Sequence, residues 1–564
     1  MATRTIANGG GNWNTASTWV ENAVPTSADD VVATSTSGNL TIDALAASCN
    51  TINFTNYTAT CTHNTNITLT VSGATCTFVS GMTYSPASGA AITISGAGAN
   101  FTGGGKTFVN LNLTGAAGPT INDANTYTNL TRTGISNKTN RLQLGANQTI
   151  TGTLTVNGNS TVNRVLINSS TNGTSRTVTA AAVSFSNVDF TDITAAGAAN
   201  WNLAAITGNS GDAGGNSGIT FTTAADQHWT SATGTNWSTA ASWTSRVPLP
   251  QDNVFMDKAF NASQTVTGDM PRLGKNVDWT SATGSPAWNL TTAVTVFGSL
   301  TLISTMSFTG AQQFLFGGRA SSHTLTSAGR TFPERTTFNG GGTYTLQDNL
   351  SVTSSCTLQS GGLIATTQNV TATTLVSNTS NTRTLTMGSG TWTLSGTGTV
   401  VDIAATSTGL TFSGASSTIS ITDTSSSTKT FNMGGQTYGT VSVSGGGSGS
   451  LTFNYSGSDS TVQTMTIGGP KTVLLLATTT DTLSIGTLTI NGSAGNTDTF
   501  SSDTAASIRN VKITGSATAH YTTFQDINAN PGISILATDN CTNGGNNHNI
   551  IFSVSKLLAL TGVG

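Results

Sequence analysis

The sequence predicts an all-β protein, a right-handed parallel β-helix (β-solenoid) built as two tandem related halves. Three observations support this fold class. Apolar residues alternate with threonine and serine along most of the chain, one tryptophan-rich opening occurs twice, and the second half carries an internal insertion of extra residues. Alternation with period two indicates strands with one buried face, and a tolerated insertion favours a stack of coils.

Strand-like alternation is clearest at residues 149–156, 417–422 and 482–490, where Ile, Leu and Val alternate with Thr and Ser. Such runs end in clusters of Gly, Asn and Ser, which adopt positive φ at little cost. No segment has a convincing helical period; residues 556–560 are the best candidate and make barely one turn. The predicted secondary structure is therefore almost entirely β.

The tryptophan-rich opening marks the start of each half. Trp13 and Trp19 recur as Trp237 and Trp243, both 224 positions later. Each pair is followed by Val-Pro, then an aspartate and a further valine in the same order. Two tryptophans repeated 224 positions later, followed by a proline and an acid repeated 223 positions later, indicate that a single architecture is built twice.

The ends of the two halves also match, but at a different offset. Residues 190–193 (Phe-Thr-Asp-Ile) correspond to residues 524–527 (Phe-Gln-Asp-Ile), and residues 214–216 to residues 544–546 (both Gly-Gly-Asn). The aspartates are 334 positions apart, so 334 − 224 = 110 residues are added inside the second half. A solenoid accepts such a block because each coil contacts only its neighbours, whereas a sandwich or a closed sheet would be disrupted.

These correspondences set the expected boundaries. We expect residues 1–227 to form the first β-helix domain with its tryptophan-rich cap, residues 228–555 the second domain with the repeated cap and the added block, and residues 556–564 a C-terminal tail. With coils of roughly 20 to 25 residues, each rising about 4.8 Å, the chain could build a rod on the order of 100 Å long. Terminal coils need caps, or their open edges would recruit other strands.

Composition excludes several classes of function. Only 8% of residues are charged, with 20 basic against 23 acidic residues, so no basic face for nucleic acid can be assembled. The five cysteines are scattered without metal-ligand spacing, as expected of small buried apolar residues. The first ten residues lack a signal-peptide core, and no stretch is long enough to span a bilayer. We expect no cofactor and no membrane insertion.

The repeated opening, Asn-Trp-x5-Trp followed by Pro and Asp-x-Val, resembles the start of β-helical proteins of bacteriophage particles (tail fibres, tailspikes and other surface appendages) and of bacterial surfaces. The likeness in style extends over nearly the whole chain and concerns architecture more than activity. It implies a virion protein assembled in the host cytoplasm or, alternatively, a bacterial cell-surface protein. It also implies other virion proteins as partners, a homo-oligomer (a trimer is one form), and contact with host surface polysaccharide.

Two sets of residues are candidates for binding or catalysis. Trp13, Trp19, Trp237 and Trp243 could form a platform for sugar rings, although duplication at both openings favours a capping role. Asp189 and Asp192 could be the paired acids of a glycosidase, which lie roughly 5 to 10 Å apart. Residues three apart on a strand point to opposite faces, however, and a structural role at a turn is favoured. We therefore assign no catalytic residue.

The glycine-rich loop 211–216 could hold calcium, because aspartate and backbone oxygens suit a hard cation. Its counterpart near residue 544 lacks an acid, so we assign no metal site. Three functions remain: a structural component of a phage particle, which the sequence favours; a bacterial adhesin; and a polysaccharide depolymerase. The depolymerase would need acids clustered on one exposed face, which the sparse charges do not indicate.

Overall fold

The computed structural model describes residues 2–231, 234–260, 264–319, 322–403, 408–444, 447–469 and 471–552. Within these ranges the chain is almost wholly β-structure, with two short 3-10 helices (Ala16–Thr18 and Ala240–Ser242). None of the helices described is long and apolar enough to cross a membrane. The candidate helical turn at 556–560 and the expected tail 556–564 lie outside the described residues.

The strands of the first half form one set, here called the first stack. In chain order they are β1 (Thr3–Thr5), β2 (Gly11–Asn12), β3 (Asp30–Val32), β4 (Leu40–Ile42), β5 (Ser48–Cys49), β6 (Thr51–Asn53), β7 (Thr60–His63), β8 (Thr68–Val71), β9 (Thr75–Thr77), β10 (Thr83–Pro86), β11 (Ala91–Ile94), β12 (Asn100–Thr102), β13 (Thr107–Leu113), β14 (Thr120–Ile121), β15 (Thr126–Thr133), β16 (Arg141–Leu144), β17 (Gln148–Asn157), β18 (Val165–Ser169), β19 (Arg176–Ser186), β20 (Val188–Thr191), β21 (Ile193–Ala196) and β22 (Ser210–Asp212).

The strands of the second half form the second stack. They are β23 (Asp226–His228), β24 (Asn253–Phe255), β25 (Thr265–Gly268), β26 (Arg272–Gly274), β27 (Val277–Asp278), β28 (Ala287–Leu290), β29 (Val294–Val296), β30 (Leu300–Thr301), β31 (Ser307–Thr309), β32 (Phe314–Phe316), β33 (Ser322–Thr326), β34 (Thr331–Phe332), β35 (Thr336–Phe338), β36 (Thr343–Leu346), β37 (Leu350–Val352), β38 (Ser355–Leu358), β39 (Gly361–Ile364), β40 (Val370–Ala372), β41 (Thr374–Val376), β42 (Arg383–Thr386), β43 (Thr391–Leu394), β44 (Gly398–Asp402), β45 (Leu410–Ile421), β46 (Lys429–Asn432), β47 (Thr437–Val443), β48 (Leu451–Asn454), β49 (Ser460–Gly468), β50 (Thr472–Leu476), β51 (Thr482–Asn491), β52 (Asp498–Ser502), β53 (Arg509–His520), β54 (Thr522–Gln525), β55 (Ile527–Asn528), β56 (Ile535–Asp539), β57 (Thr542–Asn543) and β58 (Ile550–Phe552).

These strands pair in parallel, each with the equivalent strand one coil away. In the first stack, one face of the solenoid is the ladder β1-β3-β6-β9-β12-β14-β16-β18-β20-β22. Ile121 pairs with Phe101, 121 − 101 = 20 residues earlier, and Ile167 with Leu142, 167 − 142 = 25 residues earlier. The predicted β-solenoid is confirmed, with about 23 turns in all.

Each stack has its own interior. The buried apolar side chains divide into two clusters, one drawn from residues 6–203 and the other from residues 229–537. Because burying apolar surface contributes about 25 cal/mol per Å², each column of inward Ile, Leu, Val and Phe holds its own coils together. The single continuous interior implied by one long rod is not formed.

Long strands turn a corner of the solenoid, which simple alternation does not anticipate. In β51, Leu483 and Ile485 point inward, as do Leu488 and Ile490, so the inward phase shifts by one residue between the two pairs. The ladder register shifts at the same place. Gly486 occupies the corner, where a Cβ atom would lie 2.3 Å from a backbone carbonyl oxygen of the preceding coil.

The inserted block lengthens the second stack by extra coils, as predicted. In the first stack, the ladder continues from β13 through β15, β17, β19 and β21. In the second stack, the ladder continues from β34 through β37, β40, β43, β45, β47, β49, β51 and β53 to β56, whereas β55 pairs with the opposite end of β53. The 110 added residues therefore make about five extra coils.

Candidate functional site

Charged residues are rare in this chain, yet several of them gather where the two stacks touch. We call this region the junction. It comprises Lys138, Arg164, Asn172, Asp189 and Asp192 of the first stack and Gln251, Asp269, Arg272, Arg319 and Asn339 of the second stack.

Asp189 lies at the centre of the junction and is fully buried. Its Oδ1 atom accepts a hydrogen bond from Arg164 Nε (2.8 Å), and its Oδ2 atom accepts one from Arg272 Nε of the second stack (2.7 Å). Arg164 also donates to the carbonyl oxygens of Val188 (2.7 Å) and Asn209 (2.9 Å). Burial lowers the pKa of Arg272, an effect that the Asp189 carboxylate opposes. One buried carboxylate thus accepts hydrogen bonds from two guanidinium groups that belong to different stacks.

Asp192 forms a second link three residues further along the chain. It adopts a left-handed conformation (φ 55°) at the turn after β20, and its Oδ2 atom accepts a hydrogen bond from the Gly173 amide (3.0 Å). The same Oδ2 lies 2.8 Å from Nη2 of Arg319, which also donates through Nη1 to the carbonyl oxygens of Asn339 and Gly340. Burial raises the pKa of Asp192, and the Arg319 charge opposes this rise.

The periphery of the junction is more polar and more exposed. Lys138 pairs with Asp269, at side-chain exposures of 30% and 12%. Gln251 donates from its side-chain amide to the carbonyl oxygens of Ser210 (3.0 Å) and Thr222 (2.9 Å). Direct bonds therefore join several coils of each stack.

The partners of Asp189 and Asp192 show how the stacks are oriented. These two aspartates are three residues apart on one coil, Asp189 within β20 and Asp192 at the turn that follows it, so they are separated by at most about 10 Å. Their partners, Arg272 and Arg319, lie two coils apart in the second stack, near β26 and β32 respectively. Two coils rise about 9.6 Å. The strand direction of the first stack therefore runs along the axis of the second.

The contacts made by a single coil of the second stack indicate the same relative orientation of the stacks. Asp269 and Arg272 are three residues apart on one coil of the second stack, whereas their partners Lys138 and Asp189 lie two coils apart in the first stack, near β16 and β20. The two solenoid axes therefore cross, and the stacks are joined side to side. The chain therefore forms two solenoids docked against each other and not the single rod expected from the sequence, because that expectation took no account of docking between the halves.

The geometry also bears on the candidate glycosidase acids. Asp189 is enclosed between two guanidinium groups, and Asp192 is buried and paired with Arg319. A general acid or nucleophile must reach the glycosidic bond, and neither carboxylate is accessible to a polysaccharide here. Their arrangement holds the two stacks together.

The four tryptophans of the openings are buried inside the first coils of their stacks. Trp13 and Trp19 meet edge to face at 5.2 Å between ring centroids, and Trp237 and Trp243 do so at 4.8 Å. In each pair the second indole N–H donates to the backbone carbonyl of the first tryptophan (3.0 and 2.7 Å). Enclosed in this way, none of the four presents a ring face to a sugar.

The glycine-rich loop 211–216 closes on itself. Asp212 Oδ1 accepts hydrogen bonds from the Gly214 amide (2.8 Å) and the Asn216 side chain (2.7 Å). In the second stack, Asn543 and Asn547 make the equivalent bond (2.8 Å), so the true offset here is 331 residues, one more than the Gly-Gly-Asn match indicates. No cluster of three or more potential metal ligands occurs in the described part of the chain.

Sequence reasoning did not identify the arginines of the junction. A signal for them exists in the comparison between the halves. At the 224-residue offset, Arg272 and Arg319 correspond to Ser48 and Ser95. A charge that one copy has and the other lacks is not needed by the shared architecture, and it therefore marks a contact outside the coil.

Comparison with known protein families, curated proteins and solved structures gave no match to this chain.

Proposed function

We propose that this protein is a structural component of a bacteriophage particle, either a surface appendage or a surface decoration. The main observation behind the proposal is that the two solenoids cross and are joined by buried ion pairs at Asp189 and Asp192. Ion pairs that are buried at such a contact are costly to break, which suits a stiff, angled spacer. The resemblance of both openings to virion β-helices supports the setting on a particle.

The composition of the outer faces is consistent with this role. Thr, Ser and Asn fill the outward positions of the long strands, for example in β17, β45 and β51. Such a surface is polar without carrying charge. The candidate catalytic acids Asp189 and Asp192 are engaged in ion pairs at the junction, which favours a structural role for them over a catalytic one.

The test is the location and copy number of the protein. Particles released from the host are purified by density gradient, and the protein is quantified by mass spectrometry relative to the major capsid protein. We expect a fixed copy number per intact particle. Recovery of the protein only from washed bacterial envelopes would instead favour an adhesin. Release of reducing sugar from host polysaccharide by the purified chain would exclude a purely structural role.

A further inference from the structure

A cleft at the junction contains more positive charge than the neighbouring carboxylates neutralise. Its volume is about 250 Å³, and both stacks line it. Three arginines contribute to its wall: Arg141 of the first stack, and Arg272 and Arg319 of the second. No carboxylate lines the cleft; Arg272 and Arg319 are paired with Asp189 and Asp192, so the charge of Arg141 is left unpaired among the described residues.

Two of these guanidinium groups have unused hydrogen-bond donors. Arg272 is 6% exposed, and its buried Nη2 atom has no partner. The buried Nε atom of Arg319 likewise has none. A buried unsatisfied donor costs about 1–3 kcal/mol, and more when it is charged. Arg141 is exposed at the mouth of the cleft and has no ion pair among the described residues. An oxyanion in the cleft would supply the missing acceptor.

The remaining wall is suited to a sugar. Thr139 and Thr295 contribute hydroxyl groups, and Asn339 contributes an amide. Phe297 is half-buried in the wall and offers an apolar ring to the C–H face of a pyranose. The volume would hold roughly eight water molecules at about 30 Å³ each, enough for one sugar unit.

We infer that the cleft binds the carboxylate of an acidic sugar of the hexuronic acid class, with the guanidinium groups holding the carboxylate. Arginine suits this task because its planar fork matches carboxylate geometry. The inference rests on the proposed function for its ligand class, since the surface of a particle would meet acidic polysaccharide.

Isothermal titration calorimetry of the full chain tests this inference with four probes: glucuronate, glucose, acetate and sulfate. We expect glucuronate to bind and glucose to bind at least tenfold more weakly. Arg141→Gln, at an exposed position that should not affect folding, should weaken glucuronate binding at least fivefold. The matched control is Arg335→Gln, an exposed arginine of the second stack away from the cleft, and it should bind glucuronate as the wild type does.

A second variant separates the sugar from its charge. Thr295→Val removes one hydroxyl with little change in shape, so it should weaken glucuronate binding and leave acetate binding unchanged. Acetate or sulfate binding as tightly as glucuronate would overturn the sugar assignment. An absence of glucuronate binding, or unchanged binding in Arg141→Gln, would overturn the site itself. A chain that is found in purified particles but fails these tests would retain the proposed function and lose only the ligand.

Discussion

The ends of the two stacks contain the same turn, used in two ways. Asp192 and Asp526 both have left-handed backbone conformations (φ 55° and 58°), and each accepts a hydrogen bond from a backbone amide of the preceding coil at 3.0 Å. The other carboxylate oxygen of Asp526 accepts a hydrogen bond from the side chain of Asn546 in its own stack (2.8 Å). The carboxylate of Asp192 instead forms an ion pair with Arg319 of the other stack. The turn is therefore part of the coil structure in both stacks, and in the first stack it also forms a contact between the stacks.

Residues near this turn differ more strongly between the stacks. Arg164 and Asp189 of the first stack correspond, 334 residues later, to Asp498 and Thr523. The first pair forms the buried centre of the junction, whereas Asp498 has a buried Oδ2 atom without a partner. Equivalent positions of the two stacks thus carry different charges: arginine is replaced by aspartate, and aspartate by an uncharged threonine. The conformation of the turn is common to both stacks and belongs to the coil, whereas the charged residues beside it occur where the two stacks are in contact.

Replacing Asp189 by the residue of the other copy should have the largest effect. Asp189→Thr leaves Arg164 and Arg272 buried without a counter-charge, and breaking a buried pair typically costs about 3–5 kcal/mol. We expect a lower thermal midpoint and, because the stacks separate, a larger radius of gyration in small-angle X-ray scattering.

The control for this experiment is Thr523→Val at the corresponding half-buried position, which should change the free energy of unfolding by less than about 0.5 kcal/mol. If Asp189→Thr keeps the wild-type thermal midpoint and scattering curve, the junction does not hold the stacks together.

The paired turns allow a direct second test. Asp192→Asn and Asp526→Asn both keep a residue type that tolerates positive φ, but only the first removes a charge from a link between stacks. We expect about 2 kcal/mol of destabilisation for Asp192→Asn, in the range of hydrogen bonds to charged groups, and less than about 1 kcal/mol for Asp526→Asn.

A double-mutant cycle with Arg319→Gln isolates this contact, measured by urea unfolding. Coupling above about 0.5 kcal/mol is expected between Asp192 and Arg319. Coupling of similar size between Asp526 and Arg319 would contradict the difference drawn between the two turns.

The coil was predictable from sequence because its causes are local. Six-residue spacing places Trp13 against Trp19 and Trp237 against Trp243, and alternation identifies the inward residues. The crossing was not predictable in this way. It depends on pairs such as Arg272 with Asp189, which are 83 residues apart and share no pattern. Their only trace in the sequence is that the other copy lacks the same charges.

A pH-dependent effect should distinguish the end of the second stack. Burial raises the pKa of Asp498 to about 6 from an ordinary value of 3.8, and a hydrogen bond from the Lys471 amide opposes this. The folded state therefore binds the proton more tightly than the unfolded state does between pH 3.8 and 6. Stability is favoured below this window and is lost as pH rises through it.

Asp498→Asn should remove that loss. We expect the variant to be more stable than the wild type at pH 7.5, by roughly 1 kcal/mol and by no more than about 3 kcal/mol, since one pKa unit corresponds to about 1.4 kcal/mol. At pH 4 the two proteins should have similar thermal midpoints. A variant that is less stable than the wild type at pH 7.5 would show that the charged form of Asp498 stabilises the fold.

The smallest effect is expected at the edge of the junction. Lys138 and Asp269 form a partly exposed ion pair, and such pairs contribute about 0–1 kcal/mol because water and salt screen them. Lys138→Met should therefore lower the free energy of unfolding by less than about 1 kcal/mol, and 0.5 M salt should abolish most of the difference. The scattering curve should not change, because Asp189 and Asp192 still hold the stacks. If the stacks separate in this variant, the Lys138–Asp269 pair at the edge, and not the buried centre, is the contact that holds them together. The difference between Asp192 and Asp526 would then not explain how the halves are joined.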